Sequence, residues 1–320
     1  MKKMFKHRSV ESQFILLTCL VLMLLFVVTG CNDETLDQEK SPLRFGLLPD
    51  VTCLPMVVAE KEGIFEELGL EVDLVYFSKA MERDQAIQAG QIDGAISDVV
   101  AVGFFQDSGF DVKITSLNEG NFAIIASPDS GINSVNDLKG KTIGLSKNTI
   151  IEFMVDEILA NYGLTPEDVN KEAIAAIPLR REMLLQNQVD AISIPEPLGT
   201  LTVEQGAVMV TESDEEGLIP SVIIFTEETI EENKESINKF YQAYREAAHL
   251  INPDPSVYNN LLLEKLRFPE EIIDTYKIPY FEEPLLPDRE GVDKYLSWLE
   301  GKIDLDLTYE DLITREFVEQ

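Results

Sequence analysis

Gln91-Ile92-Asp93-Gly94-Ala95-Ile96-Ser97 is echoed by Gln188-Val189-Asp190-Ala191-Ile192-Ser193, and this pair of stretches organises the chain. Each copy ends an amphipathic run and starts an apolar one, the pattern of a helix turning into a strand. A helix–turn–strand unit used twice implies two halves of like topology. Around the first copy, Leu43–Leu48, Glu71–Phe77, Asp93–Ser97 and Asp111–Leu117 read as strands, with helices expected over Pro55–Leu68 and Glu82–Ala89. Pro55 is tolerated in a first helical turn, whereas Gly63 weakens the middle of that helix. Around the second copy, Ser134-Val135-Asn136-Asp137 and Thr149-Ile150-Ile151-Glu152 have capping-box form, and Lys141–Ser146 reads as a strand. Ile151, Met154, Val155, Ile158, Leu159 and Tyr162 share one face of a helix that Gly163 ends. Short apolar strands alternating with amphipathic helices define an α/β protein with parallel sheets. After Thr226 the character changes: 227–248 and 253–320 read as mainly helical, with prolines at 253, 255, 269, 279, 284 and 287.

The N-terminus carries a separate signal. Lys2, Lys3, Lys6 and Arg8 precede the apolar run Phe14–Val28, which has the length and flanks of an export signal and is short for a membrane span. The whole chain holds 26 basic and 58 acidic side chains, a formal net charge of −32. Removing the signal takes away four basic groups against Glu11 alone, so the remainder is more acidic still. Such a surface repels nucleic acid and anionic lipid headgroups, and neither is an expected partner. Cys19 lies in the signal, which leaves Cys31 and Cys53. With His249 the one histidine beyond the signal, a His-rich zinc site and any nucleophile–histidine pair not built on it are excluded. His249 sits in a strongly helical stretch, where a packing or surface role is expected.

Catalytic signatures are scarce. Gly140-Lys141-Thr142 is not a phosphate loop, because position 135 is valine where that loop requires glycine, and because it opens a strand instead of a helix. No G-x-S-x-G elbow, H-E-x-x-H or EF-hand loop occurs. No catalytic residue, metal or cofactor is therefore expected. Ligands of open α/β sheets bind beyond the carboxyl ends of the strands. The polar residues at those ends are Asp50, Thr52 and Cys53 after the first strand, Ser97 and Asp98 after the third, and Glu119 within Asn118–Asn121 after the fourth. The second half offers Ser146, Asn148 and Thr149 before a helix, and Glu196 between Pro195 and Pro197. A helix start presents unpaired N–H groups and favours an anionic or carbonyl oxygen. Each of these residues also has a plain structural use: Ser146 and Thr149 as caps, Asp50 and Asp98 as turn formers.

Val28-Thr29-Gly30-Cys31 resembles the lipobox of bacterial lipoproteins, which implies cleavage before Cys31, lipid attachment there and a tether over 31–42. No internal disulfide is then possible. Leu54-Pro55-Met56-Val57-Val58-Ala59-Glu60-Lys61-Glu62-Gly63-Ile64-Phe65, Ala89–Ile96, Asp137–Gly144 and Pro195-Glu196-Pro197 resemble the solute-binding proteins of ABC importers, in the thiamine-precursor, sulfonate and nitrate-type branch. That resemblance spans roughly 43–250. It implies a two-lobed type II periplasmic-binding fold whose lobes close on ligand, with hinge crossings near Glu119–Ser127 and Leu218–Glu227 and a helical C-terminal region. One lobe is expected over 43–122 and 226–320, the other over 123–225, after a signal peptide at 1–30. It further implies a monomeric, membrane-anchored extracytoplasmic receptor whose partners are a small solute and an ABC permease. Carried onto this sequence, the family pocket falls on the Asp50–Cys53 loop, the Ser97-Asp98 turn, the Ser146–Thr149 helix start and Glu196. No tryptophan lies near these loops, so stacking on a flat ring would fall to Phe77 or Phe122. Asp50, Asp98, Glu119 and Glu196 outweigh Lys147, which favours a cationic or nitrogen-rich solute over a sulfonate or nitrate. The rival expectations are a ligand-sensing module on a membrane receptor and an enzyme resembling those of thiamine-precursor synthesis.

Overall fold

The computed structural model describes residues 41–218, 220–304 and 306–318; the export signal, Cys31 and the tether up to residue 40 lie outside the described residues. The strands are β1 (Leu43–Leu47), β2 (Val72–Tyr76), β3 (Gly94–Asp98), β4 (Val112–Asn118), β5 (Phe122–Ala126), β6 (Thr142–Leu145), β7 (Asn170–Ala173), β8 (Ala191–Pro195), β9 (Val208–Glu212) and β10 (Ser221–Thr226). They form two five-stranded sheets, ordered β2-β1-β3-β10-β4 and β7-β6-β8-β5-β9. The strands expected from alternation are present, but the sheets are mixed: β10 runs antiparallel between β3 and β4, and β5 antiparallel between β8 and β9. Parallel pairing joins the remaining strands, β1 to β2 and β3, and β6 to β7 and β8. The two apolar runs expected as hinge strands are thus sheet members, and the crossings themselves are 119–121 and 213–220. The half boundary read near 225 sits earlier, because Ser221–Thr226 pairs in the first sheet. Phe122, read into the first half, opens a strand of the second sheet.

The repeated motif is repeated in its bonds. Asp93 accepts from the backbone N–H of Arg44, and Asp190 accepts from that of Thr142, each at 2.8 Å. The carbonyl of Asp93 takes the N–H of Thr226, and that of Asp190 takes the N–H of Ser127. Gly90 and Asn187 both turn the chain through the left-handed region, at φ 64° and 56°. Arg83 donates to the carbonyl of Ile96 on β3, and Arg180 donates to that of Ser193 on β8. One aspartate and one arginine therefore lock helix, turn and strand in each half.

Helices complete the layers. The single helix expected over Pro55–Leu68 is two: Leu54–Lys61 ends before Gly63, whose φ of 77° breaks the stretch, and a second short helix begins at Ile64. Lys234–Ile251 buries Ile237, Phe240, Tyr241, Tyr244, Ala247, Ala248 and Ile251 on one face, and Phe240 packs against Phe45 and Phe225 at centroid distances of 4.6 and 5.6 Å. Burying Phe-sized side chains in this way stabilises by about 1.5–3 kcal/mol apiece. The region after residue 253 is less helical than its composition suggests: 276–288 forms no regular element, because prolines 279, 284 and 287 deny the backbone its donors. That stretch covers the open edge of the first sheet instead, with the N–H of Leu117 donating to the carbonyl of Leu285 at 2.7 Å, and farther along the chain Thr314 N–H donates to the carbonyl of Ile114 on the same edge.

A Cβ at Gly94 would lie 2.3 Å from the Phe225 ring and 2.7 Å from the carbonyl oxygen of Ile224. Gly94→Ala should therefore lower unfolding free energy in urea by about 2–3 kcal/mol. An unchanged midpoint would contradict the close approach of β3 to β10.

Candidate functional site

The crossings set the site. The chain leaves β4 at Asn118 and enters β5 at Phe122, so the carboxyl end of β4 is held beside the start of β5. Asn121 fastens this link to the second sheet: its Nδ2 donates to Glu212 at 3.0 Å, its Oδ1 accepts from the Ser213 hydroxyl at 2.8 Å, and its carbonyl accepts from Glu196 N–H at 3.1 Å. The strand ends that carry the expected site residues consequently face one another.

Asp50, Thr52, Ser97 and Asn118 line the first edge. Asp50 precedes the short 3-10 turn Val51–Cys53 and accepts from Thr52 N–H at 2.9 Å. Burial pushes its carboxyl up to about 6, with the nearby charge of Glu196 adding to the effect. Asp50 and Glu196, from opposite sheets, thus feel each other across the cleft. Asn118 donates from Nδ2 to the carbonyl of Thr52, while its buried Oδ1 has no partner, and neither has the buried hydroxyl of Ser97. Buried polar atoms left open in this way are costly unless a ligand or water completes them. The Tyr76 hydroxyl at the end of β2 is likewise buried without a partner.

The second edge supplies Glu196 and Glu212. Glu196 is buried, and its carboxylate accepts from the N–H and hydroxyl of Thr200, the latter at 2.8 Å. Its pKa is raised, by burial first. Glu212, at the end of β9, is pushed up to about 7 by burial and by Glu196, Asp214 and Glu215. Tyr276 comes from the C-terminal region; its ring packs against Phe268 at 5.2 Å. Its phenol is raised well above the usual range by burial and by Asp50, Glu196, Glu212 and Asp214, which places it among acids of both sheets. Sequence reasoning missed Glu212 and Tyr276. Glu212 ends a strand, which was a usable signal; Tyr276 lies outside the repeat and had none.

The remaining expected residues serve the frame more than the cleft. Cys53 is fully buried, its thiol donates to the carbonyl of Leu48 at 3.2 Å, and burial pushes it up to about 12. Asp98 caps the helix Val99–Asp107 by accepting from Ala101 N–H at 2.8 Å; burial raises it to about 6 against the opposing pull of Arg83. Glu119 is raised by burial and by Glu282 and Asp214. Ser146 accepts from the guanidinium of Arg180 at 2.5 Å, and Thr149 caps the helix Ile150–Asn161. Asn148 is exposed, adopts φ 56°, and gives its N–H to Glu152 at 2.7 Å. The helix start expected to accept an anionic oxygen therefore already holds the chain's own carboxylate. Phe77 and Phe122 are half-buried, and Lys147 is exposed. His249 is an exposed side chain 3.6 Å from Glu283.

The pKa directions fix a stability prediction. Asp50 binds its proton more tightly folded, at about 6, than unfolded near 4. Its contribution is full below about pH 4 and is lost as pH rises through about 6. Asp50→Asn keeps the acceptor for Thr52, so urea unfolding at pH 7.5 should show it more stable than wild type by up to about 2 kcal/mol, with the gain vanishing at pH 4.

Comparisons with known proteins follow this geometry. A family model described as NMT1/THI5 like matches residues 51–257. A putative binding protein of Brucella abortus is 26% identical over 283 residues, covering 85% of this chain and 86% of that protein. A putative aliphatic sulfonates-binding protein of Bacillus subtilis is 25% identical over 240 residues, covering 71% of each. Among solved structures, the periplasmic aliphatic sulphonate binding protein SsuA of Escherichia coli superposes with a TM-score of 0.74 at 19% identity, over 87% of this chain and 93% of that one. The fold is that of the periplasmic binding proteins.

Proposed function

This chain belongs to the NMT1/THI5-like family, and from that premise and the cleft we propose that it is an extracytoplasmic solute receptor serving an ABC importer, specific for a cationic or nitrogen-rich organic solute. The receptor role is supported by the relatives named as binding proteins and by two sheets whose carboxyl edges oppose across a cleft. Ligand would close such a cleft through contacts to both edges. A lipid anchor at Cys31, a tether over the next residues and a permease partner complete the proposal, with the receptor acting as a monomer. Among the described residues no helix is long and apolar enough to cross a membrane.

One observation carries the ligand class. The helix and turn starts around the cleft are occupied by the protein's own acids: Asp50 on Thr52, Asp98 on Ala101, Glu152 on Asn148 and Glu196 on Thr200. Bare helix starts attract anions, but these have been neutralised. A sulfonate or nitrate would meet Asp50, Glu196 and Glu212, beside helix and turn starts that already give an N–H to the protein's own acids. A cation would meet carboxyls whose pKa values burial and neighbouring acids have raised, and would favour their ionised form. The acceptors Asn118 Oδ1 and Ser97 Oγ would take its N–H groups. Relatives named for sulfonates are similar in fold and sequence, and in this reading differ in ligand.

Titration calorimetry with the solute that co-purifies, identified by mass spectrometry, tests this. Binding of a cation should release protons and strengthen as pH rises from 5 to 7.5, because it returns Asp50 and Glu212 to the ionised form. Glu196→Gln should weaken it by roughly tenfold or more while leaving the melting temperature close to wild type. A co-purifying sulfonate or nitrate, or affinity that falls with rising pH, would overturn the ligand class and leave the receptor role standing.

A further inference from the structure

The C-terminal region reaches the second half at a seam away from the carboxyl cluster. The helix Arg289–Leu299 packs on Val99–Asp107 of the first half, and its aromatic face meets Ile150–Asn161, which packs on β5 and β8 of the second. There Phe153, fully buried, stacks on Tyr295 at a centroid distance of 4.1 Å and meets the edge of Trp298 at 5.9 Å. Trp298 Nε1 donates to Asp156 Oδ2 at 2.9 Å. Lys171 Nζ holds Asp156 Oδ1 at 2.5 Å and Glu152 Oε1 at 3.0 Å, so that carboxylate is fixed in place. Lys302 lies over the other region of the indole, 4.0 Å from its centroid, and donates to the Trp298 carbonyl. An open surface groove lined by Glu157, Arg289, Asp293, Lys294 and Trp298 runs beside this contact, so solvent reaches the indole edge of the seam.

We infer that Trp298 and Asp156 form a latch that holds the two halves together, and that Trp298 is a positioning residue for solute capture. This rests on the receptor reading. The gripped helix carries Ser146–Thr149 at its start, so a hold on Asp156 fixes one wall of the cleft from outside it. Val99–Asp107 also packs directly on Ile150–Asn161, and to that apolar contact the C-terminal helix adds one hydrogen bond, a stacked pair and an aromatic edge. The latch is strong enough to bias closure and weak enough to release. A latch that closes the empty protein raises the fraction competent to hold solute.

Hydrogen–deuterium exchange on the full chain, without added ligand, tests the latch independently of what the solute is. Trp298→Phe keeps the ring and removes the donor; Asp156→Ala removes the acceptor; Asp156→Asn retains an acceptor oxygen. Trp298→Phe and Asp156→Ala should speed exchange roughly tenfold in peptides spanning 48–53 and 196–200, which the latch does not touch, while Asp156→Asn, which keeps the acceptor for Trp298 but loses the Lys171 ion pair, should fall closer to wild type than to Asp156→Ala. Peptides from β1, β3 and β8 should stay protected in all variants, which separates opening from unfolding. Acceleration confined to 150–161 and 289–302, or none at all, would overturn the latch. So would Asp156→Asn behaving like Asp156→Ala. None of these outcomes bears on whether a solute binds.

Discussion

Everything at the cleft depends on how little chain separates the two sheets. Residues 119–121 are too few to let β4 and β5 drift apart, and Asn121 ties that link to Glu196, Glu212 and Ser213 through backbone and side-chain bonds. The carboxyl ends of both sheets are therefore held edge to edge, whatever else the surrounding helices do. Strand ends are where backbone donors and acceptors come free, so a tether that opposes two such rows makes a polar cleft by geometry alone. Hinge motion, if it is to open that cleft, acts about the same few residues.

Within the cleft, the chain has used carboxylates where neutral caps would serve. An aspartate or glutamate at a helix start is stabilised by the dipole and by the N–H it accepts, which offsets part of the cost of burying its charge. The remainder of that cost is visible as raised pKa values at Asp50 and Glu196. In the proposed receptor, capping and recognition would share the same atoms. A carboxylate with one oxygen committed to the backbone has its other lone pairs turned outward at a fixed angle, so the frame pre-orients the charge that a solute would meet.

The sequence made the halves legible because each one repeats an aspartate that bonds back to the strand before it and a residue able to turn left-handed. Asp93 and Asp190 were visible as text, and so was the helix end at Gly163, whereas Gly63, read as a weak point inside one helix, separates two. The antiparallel insertions were not, since Phe122–Ala126 and Ser221–Thr226 are apolar runs whose pairing partners lie far along the chain, and periodicity says nothing about partners. Prolines in 279–287 were read as punctuation between helices when they mark a segment with no helix at all. For the candidate site, strand-end logic picked Asp50 and Glu196 and, at the end of β4, Glu119 instead of Asn118, and it picked Cys53, Asp98 and Thr149 equally, though their side chains bond into the frame. Polarity at a strand end cannot distinguish a cap from a ligand contact; only the partner of each oxygen does. Arg180, buried with only neutral oxygens around it and lowered to about 10 by that burial, left no trace in the sequence as an organiser of the Ser146 loop.

The interleaving of β10 into the first sheet has a consequence for synthesis. When the first hundred and more residues have emerged, β3 and β4 are present but the strand between them has not yet been made. Until Ser221–Thr226 arrives, the N-terminal sheet is two fragments with unpaired edges and an uncovered Phe45, and the second sheet must be largely translated first. The first half is therefore not an autonomous folding unit, so a fragment ending before Ser221 would be prone to aggregate through it rather than settle as a smaller protein. Contacts spanning so much chain also make folding slow.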